Sequence, residues 1–399
     1  MIPQPVLEYG RQLVEDDDIA AVVEVLRSDW LTTGPAVQEF EKELAKFAGA
    51  AHAVVCNSGT AALYLALRSA GLKSGDAVIV PAVTFVATAS ASVLAQLEVV
   101  FADVDPKTGL MGPEHMDKAI HRAGNNRVKA VIPVHMAGRV GDPAALNLLA
   151  IDRGLAVVED ACHALGTRYG DGAHRVGDCA HSTAACFSFH PVKTIAMGEG
   201  GAVTTNLQEV AERCRILRNH GMVRRAGNPI NEKLGLAADG TMNPWYYEVE
   251  EISHNLRASD INCALGLSQL RKIGRFIDVR QKLMLRYQNR LAELSPTVEL
   301  VSSGAGVEPG WHLCTVLVDF PRLGLDRRDL MTRLRERGVG TQVHYIPVHM
   351  QPFYRERYGP VDLPGAMAYY DRTLSLPLFP AMTELDVDRV VDALAEIVG

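Results

Sequence analysis

The sequence predicts an α/β protein in which a mostly parallel sheet lies between two layers of helices and is followed by a smaller α+β domain. Three observations carry this expectation. From residue 50 onward, short apolar runs alternate with helix-like segments, the pattern of βα units that feed a sheet covered on both faces. The chain has 399 residues, 48% hydrophobic and 22% charged, enough for one large core and a second, smaller one. From Asp260 the text turns helical before strands resume, which puts a domain boundary near residue 270. The expected division is 1–270, including an N-terminal arm, and 271–399.

The elements follow in order. Ile19, Val22, Val23 and Leu26 keep i, i+3, i+4, i+7 spacing after three aspartates, which predicts a helix with acidic residues at its positive end. HAVVC (52–56), AVIV (77–80), VVFADV (99–104), KAVIPVH (129–135) and LAVVEDA (155–161) read as strands. Ligands of such sheets bind beyond the carboxyl ends of the strands. Residues 77–97 carry no charge over a length that spans a bilayer. Pro81 interrupts that run, and Thr84, Thr88, Ser90, Ser92 and Gln96 read as a helix cap and a polar-flecked buried helix, so the segment is strand, turn and helix. Residues 222–244 have no period and many turn formers, which predicts a long loop. Beyond Asp260 come two helices, a strand in WHLCTVLVDF, a helix around 327–337 and a strand in TQVHY.

Composition excludes several function classes. A net charge of −7 and a pI near 6.0 provide no basic field for nucleic acid or an anionic membrane. Seven cysteines without a CxxC pair argue against a disulfide framework, and the start lacks the basic and apolar regions of a signal peptide, so a reducing cytoplasm is expected. No GxxxxGK[ST], GxSxG or HExxH occurs, GEGG (198–201) is not a dinucleotide fingerprint, and His344 and His349 do not frame a metal site.

FSFHPVKTIAMGEGG (187–201) contains one feature that asks for chemistry. Lys193 is the only formal charge between Asp178 and Glu199. A lysine kept from water and carboxylates loses proton affinity and becomes a nucleophile suited to imine chemistry; the alternative is a surface lysine closing a strand. Four features join it. VVCNSGTAAL (54–63) runs from strand to helix through Asn57, Ser58, Gly59 and Thr60, which is either an anion cradle or a simple helix cap. Asp160 lies just past the expected strand 155–158, at the ligand edge of the sheet, where it would hold a heteroaromatic nitrogen protonated or cap the next turn. Phe85 is a ring-stacking candidate or a core aromatic, and Ser188 lies five residues before Lys193, in reach of the same anion.

SGTAAL, TFVATA (84–89), EDACHALG (159–166), FSFHPVKT (187–194), GEGGAVTTN (198–206) and HNLRASDINCALGLSQL (254–270) together resemble the fold type I, pyridoxal-phosphate-dependent sugar aminotransferases of the DegT/DnrJ/EryC1/StrS family. The resemblance implies that Lys193 forms the imine with pyridoxal 5'-phosphate, Asp160 partners the pyridinium nitrogen, Phe85 stacks on the ring and His163 approaches the phenolic oxygen. It gives the phosphate to Gly59, Thr60, Ala61 and Ser188, with Asn255 reaching in from the neighbouring subunit of a homodimer. Tyr9, the run Asp29, Trp30, Leu31 and Thr32, and His344 with Tyr345 match segments that approach the sugar nucleotide. SFHPVK, WYY (245–247), HYIPVH (344–349) and LSLPLFP (374–380) are most like the branch that aminates a UDP-linked 4-ketosugar for pseudaminic acid, with L-glutamate as donor. Departures occur: SHNLRASD stands where many relatives have GxNYRMTD, and Ala196 and Met197 stand where relatives often have two threonines.

Two other readings stay within the same fold. Dehydratases of the superfamily commonly have histidine at the lysine position, which Lys193 disfavours, and a regulatory protein that only binds a sugar nucleotide would carry the catalytic set unused. The resemblance leaves open an aminotransferase for another dTDP- or UDP-linked ketosugar.

Overall fold

In the computed structural model, which describes residues 6–124, 127–224 and 229–398, seven strands form the central sheet. They are β1 (His52–Cys56), β2 (Ala77–Pro81), β3 (Glu98–Ala102), β4 (Val128–Val131), β5 (Ala156–Asp160), β6 (Ala184–Ser188) and β7 (Gly201–Thr205), in the order β1-β7-β6-β5-β4-β2-β3. Every pairing is parallel except the two made by β7, which runs antiparallel to β1 and β6. The five strands expected from the sequence are all present; β6 and β7 are additional.

Side-chain alternation places a core on each face of the sheet. Val54, Cys56 and Cys186 pack with helices Gly59–Ser69 and Gln208–Arg218, whereas Ala53, Val55, Ala185 and Phe187 belong to the core under helices Pro35–Ala48 and Asp260–Arg271. The expected N-terminal helix is Asp16–Leu26, with Asp16, Asp17 and Asp18 in its first turn. Asp18 is buried, and its carboxylate takes Ser268 Oγ at 2.6 Å, Gln269 Nε2 at 2.7 Å and Lys272 Nζ at 2.8 Å, which fixes this helix on Asp260–Arg271.

Helix Ile273–Leu291 passes from one core to another. Ile273 and Phe276 belong to the core under Pro35–Ala48, while Leu283, Met284, Tyr287 and Leu291 belong to a separate core. That second core is closed by an antiparallel sheet of β8 (Val298–Leu300), β9 (Cys314–Val318) and β10 (Thr373–Leu376), with helices Arg327–Glu336 and Glu384–Val398. Arg286 grips Asp388 with two bonds of 2.8 Å, clamping the C-terminal helix.

Three local expectations need correction. TQVHY is not a strand: Gln342 alone bridges Ser375, and the chain then leaves the sheet, carrying His344 and Tyr345 toward the carboxyl edge of the large sheet. Thr84 does not cap the following helix, Val86–Leu94, whose cap position is Phe85; its hydroxyl meets Thr88 Oγ1 at 2.7 Å. Residues 222–244 are not wholly irregular, since Met222–Val223 pairs with Glu248–Val249 and Glu232–Gly235 is a short helix; residues 225–228 of that stretch lie outside those described. The uncharged segment 77–97 is strand, turn and helix as expected, and among the described residues no helix is long and apolar enough to cross a membrane.

Candidate active site

At the carboxyl ends of β1, β5 and β6 the chain encloses a cavity of about 560 Å³. Gly59, Thr60, Phe85, Asp160, His163, Ser188 and Lys193 line it from the ends of β1, β2, β5 and β6 and the segments that follow them, Tyr9 from the N-terminal arm, and His344 and Tyr345 from the segment after Gln342. The arm is held by Leu7, whose N–H donates to Gly338 O at 2.9 Å, and by Tyr9 O, which accepts from Leu378 N at 3.0 Å.

Asp160 is the last residue of β5 and is buried. Its Oδ2 accepts from Thr88 Oγ1 at 2.7 Å and its Oδ1 from Cys162 N at 3.2 Å, so the carboxylate is fixed in one plane. Lys193 follows β6 in a turn closed by its own N–H to His190 O at 2.8 Å. Burial holds the Lys193 amine below the usual lysine range, against the opposing pull of Cys162 and the Asp160 charge. Burial also raises the Cys162 thiol well above its ordinary value, reinforced by Asp160, so this thiol stays protonated.

The residues of the expected anion cradle fall at the start of helix Gly59–Ser69. Ser58 is its N-cap and accepts from Ala61 N at 3.1 Å, which occupies the Ala61 N–H and leaves those of Gly59 and Thr60 as the open donors of the first turn. A Cβ at Gly59 would lie 2.8 Å from Ser188 Cβ and 3.2 Å from Cys162 Sγ, so only glycine lets the helix start approach β6 this closely. Phe85 is 53% exposed, an aromatic face turned to the cavity instead of the core.

On the far wall His163 Nε2 lies 3.2 Å from Tyr345 Oη, and His163 Nδ1 accepts from Ala137 N at 3.4 Å. Tyr345 packs against Phe85 and His344, with ring centroids 5.7 and 4.7 Å apart. Burial, then the positive charge of Lys193, holds His163 well below the usual histidine range; the same two causes bring His344 down to about 3. Both rings are neutral at neutral pH.

The remaining expected residues gather elsewhere. Asn255 is exposed, its Oδ1 accepting from Arg257 N at 3.3 Å, and Asp29, Trp30, Leu31 and Thr32 are exposed too. The two segments meet: Thr32 bridges Ser259, and Leu31 O accepts from Asp260 N at 3.0 Å. Residues 29–32 lie outside this chain's own cavity, with Trp30 54% and Leu31 48% exposed, whereas Asn255 pairs with Asn219 and its O accepts from Asn57 Nδ2 at 3.4 Å, which sets it beside the turn that opens helix Gly59–Ser69. Trp245 and Tyr247 are exposed as well, while Tyr246 anchors the loop through Glu248 at 2.7 Å.

Sequence reasoning missed Thr88 as the partner of Asp160 and did not single out Gln342, Val343, His190 or Val192 as lining residues. Thr88 carried a weak signal, a hydroxyl one helical turn after Thr84 in an otherwise apolar helix.

The site's donor set suits pyridoxal phosphate: a buried amine, a fixed carboxylate, an open helix start with glycine at closest approach, and an uncovered aromatic face share one cavity. The chain matches the DegT/DnrJ/EryC1/StrS aminotransferase family over residues 12–395. It is 40% identical to the spore coat polysaccharide biosynthesis protein SpsC of Bacillus subtilis, over 98% of this chain and 97% of that protein. Among solved structures it is similar to PseC of Helicobacter pylori, an aminotransferase of pseudaminic acid biosynthesis, with TM-score 0.87 and 28% identity over 98% of this chain and 99% of that one. It is also similar to DesI in the presence of its TDP-sugar product, with TM-score 0.83 and 31% identity over 98% and 92% of the two chains. The cavity's chemistry and the match across nearly the whole sequence lead to one conclusion: the chain belongs to the DegT/DnrJ/EryC1/StrS family of pyridoxal-phosphate-dependent sugar aminotransferases.

Proposed function

We propose that the protein transfers the amino group of L-glutamate to C4 of a UDP-linked 4-keto-6-deoxy-N-acetylhexosamine, the amination step of the pseudaminic acid class, as a cytoplasmic homodimer. The observation that carries the chemistry is the pairing of Lys193 and Asp160 in one cavity at the ends of neighbouring strands. The likeness to PseC supports the sugar.

Pyridoxal phosphate, when bound, carries the amino group between the two substrates and withdraws electrons through its protonated ring nitrogen. Asp160 would hold that nitrogen positive, and Thr88 and the Cys162 N–H keep the carboxylate from rotating away. The N–H groups of Gly59 and Thr60, with Ser188, would hold the phosphate, and Phe85 would stack on the ring. Lys193, with its proton affinity lowered by burial, takes a proton from the substrate carbon and returns it on the other side of the transfer.

The exposed Asn255 and the exposed run Asp29–Thr32 complete the cavity of a second copy, with Asn255 reaching toward the phosphate site and Trp30 and Leu31 buried between the subunits. These residues support this reading because they are exposed and do not line the chain's own cavity, and Trp30 and Leu31 among them are large apolar side chains left uncovered.

A second reading keeps the enzyme and changes the sugar: the likeness to DesI, with its TDP-sugar product, favours a dTDP-linked ketosugar. Presenting 4-keto and 3-keto UDP- and dTDP-sugars with glutamate, and identifying products by mass and NMR, decides between them. Preference for a dTDP-3-ketosugar, or for the D-xylo epimer of the UDP-4-ketosugar, would reject the pseudaminic assignment.

A further inference from the structure

Two nitrogens of one buried ring fix where a neighbouring proton points. His163 is buried, and its Nδ1 accepts the backbone N–H of Ala137 at 3.4 Å. An accepting Nδ1 carries no proton, so the neutral ring holds its proton on Nε2. Burial beside Lys193 keeps the ring neutral. Nε2 lies 3.2 Å from Tyr345 Oη, and in this tautomer it is the donor and the phenol oxygen the acceptor. The hydroxyl hydrogen of Tyr345 is then directed away from His163.

Tyr345 lines the cavity with Lys193, Asp160 and Phe85, so that hydrogen is offered to the cavity. The phenol is fixed on two more sides, by the Phe85 ring at 5.7 Å and the His344 ring at 4.7 Å. Burial and the nearby Asp160 charge raise Tyr345 well above its ordinary range, so it remains a donor at any working pH.

We infer that Tyr345 is a catalytic hydrogen-bond donor to the carbonyl oxygen of the keto substrate, and that His163 is a positioning residue which aims it. The phenol keeps its proton and stabilises negative charge gathering on the oxygen as nitrogen attacks the carbonyl carbon. His163 acts by donating to the phenol oxygen, which fixes the rotor and makes the O–H a stronger donor.

The inference rests on the ketosugar reading above, and its tests separate the two. The first needs no substrate: nitrogen NMR of labelled holoenzyme is expected to show His163 as the neutral Nε2–H tautomer, and an Nδ1–H tautomer overturns the proposal. The second uses enzyme loaded with pyridoxamine phosphate and mixed with the L-arabino UDP-4-keto-6-deoxy-N-acetylhexosamine, followed by the change in cofactor absorbance in a single turnover. Tyr345→Phe is expected to slow the step about 10²-fold with little change in the half-saturating sugar concentration. His163→Leu is expected to slow it in the wild-type background and to add almost nothing to Tyr345→Phe, while His163→Gln, which retains an N–H donor, recovers part of the rate. Equal rates for Tyr345→Phe and wild type, or fully additive losses, overturn the proposal. A wild-type protein that leaves this sugar unchanged refutes the pseudaminic assignment alone, and the same single-turnover comparison is then made with the ketosugar that the wild type does aminate, where equal rates for Tyr345→Phe and wild type overturn the proposal.

Discussion

Thr88 Oγ1 donates to Asp160 Oδ2 at 2.7 Å, joining the helix after β2 to the end of β5. Thr84 Oγ1 lies 2.7 Å from the same threonine hydroxyl, so Asp160 is held by a short chain of side chains with no charge of its own. Asp160→Asn is expected to retain cofactor but lose most of the activity, because an amide does not hold a ring nitrogen positive. Thr88→Val leaves one buried carboxylate oxygen without its donor, a loss of about 1–3 kcal/mol in the hold on that group. Steady-state rates and cofactor absorbance of the two variants check this; full activity in Asp160→Asn removes the residue from its assigned place.

Lys193→Ala is expected to abolish both the visible absorbance of the bound cofactor and turnover, since no other amine lines the cavity among the described residues. In the wild type, activity should rise with pH through the lowered Lys193 value, because only the neutral amine accepts a proton. The limb should therefore fall below pH 10.5, the ordinary lysine value. An active alanine variant would end the aminotransferase mechanism proposed here.

Gly59→Ala places a Cβ 2.8 Å from Ser188 Cβ and forces the helix start away from β6. Cofactor affinity, measured by titrating the apoprotein with pyridoxal phosphate, should drop sharply. Gly274→Ala is the matched control: its Cβ meets nothing within 4 Å, and within helix Ile273–Leu291 it should stabilise the fold by up to about 1 kcal/mol. Equal affinities in the two variants would reject the close-approach account.

How far the sequence reveals this site depends on whether each signal is local. β1 to β5 were legible because each is an apolar run followed by a helical period. β6 and β7 were not, since AACFS and GAVTT are joined by the lysine turn instead of a helix and so break the βα rhythm. Lys193 and Asp160 stood out as charges in apolar surroundings. Thr88 did not, because a threonine in a buried helix ordinarily bonds its own backbone, and its actual partner lies 72 residues away. The destination of TQVHY was equally hidden, since its alternation fits a strand and only the tertiary fold turns His344 and Tyr345 into the cavity.

Acid should unfold the protein through its buried neutral histidines. His163, His312 and His344 all lie below the ordinary value of 6.5, with burial the largest cause in each. The unfolded chain takes up a proton on each below pH 6.5, while folded His344 does so only near about 3. Stability is therefore full above 6.5 and falls as pH drops, by about 1.4 kcal/mol per pH unit for each histidine that remains neutral. Urea denaturation at pH 7 and pH 5 should show a smaller difference for His344→Gln than for wild type. An unchanged difference would show that His344 does not contribute to this window.

Asn255 is exposed and does not line its own chain's cavity. If it completes the partner's site, a defect in Lys193 and a defect in Asn255 on different chains fall together in one site and leave the other intact. A mixed dimer of Lys193→Ala and Asn255→Asp chains then holds one site with both defects and one with neither. An equal mixture allowed to exchange subunits should regain about a quarter of wild-type activity, because half the dimers are mixed and each has one intact site of two. Asn255→Asp must first prove inactive alone, as expected when a carboxylate faces the cofactor phosphate, and exchange is verified with differently tagged chains. Confirmed exchange without recovered activity would mean that each cavity is complete within a single chain.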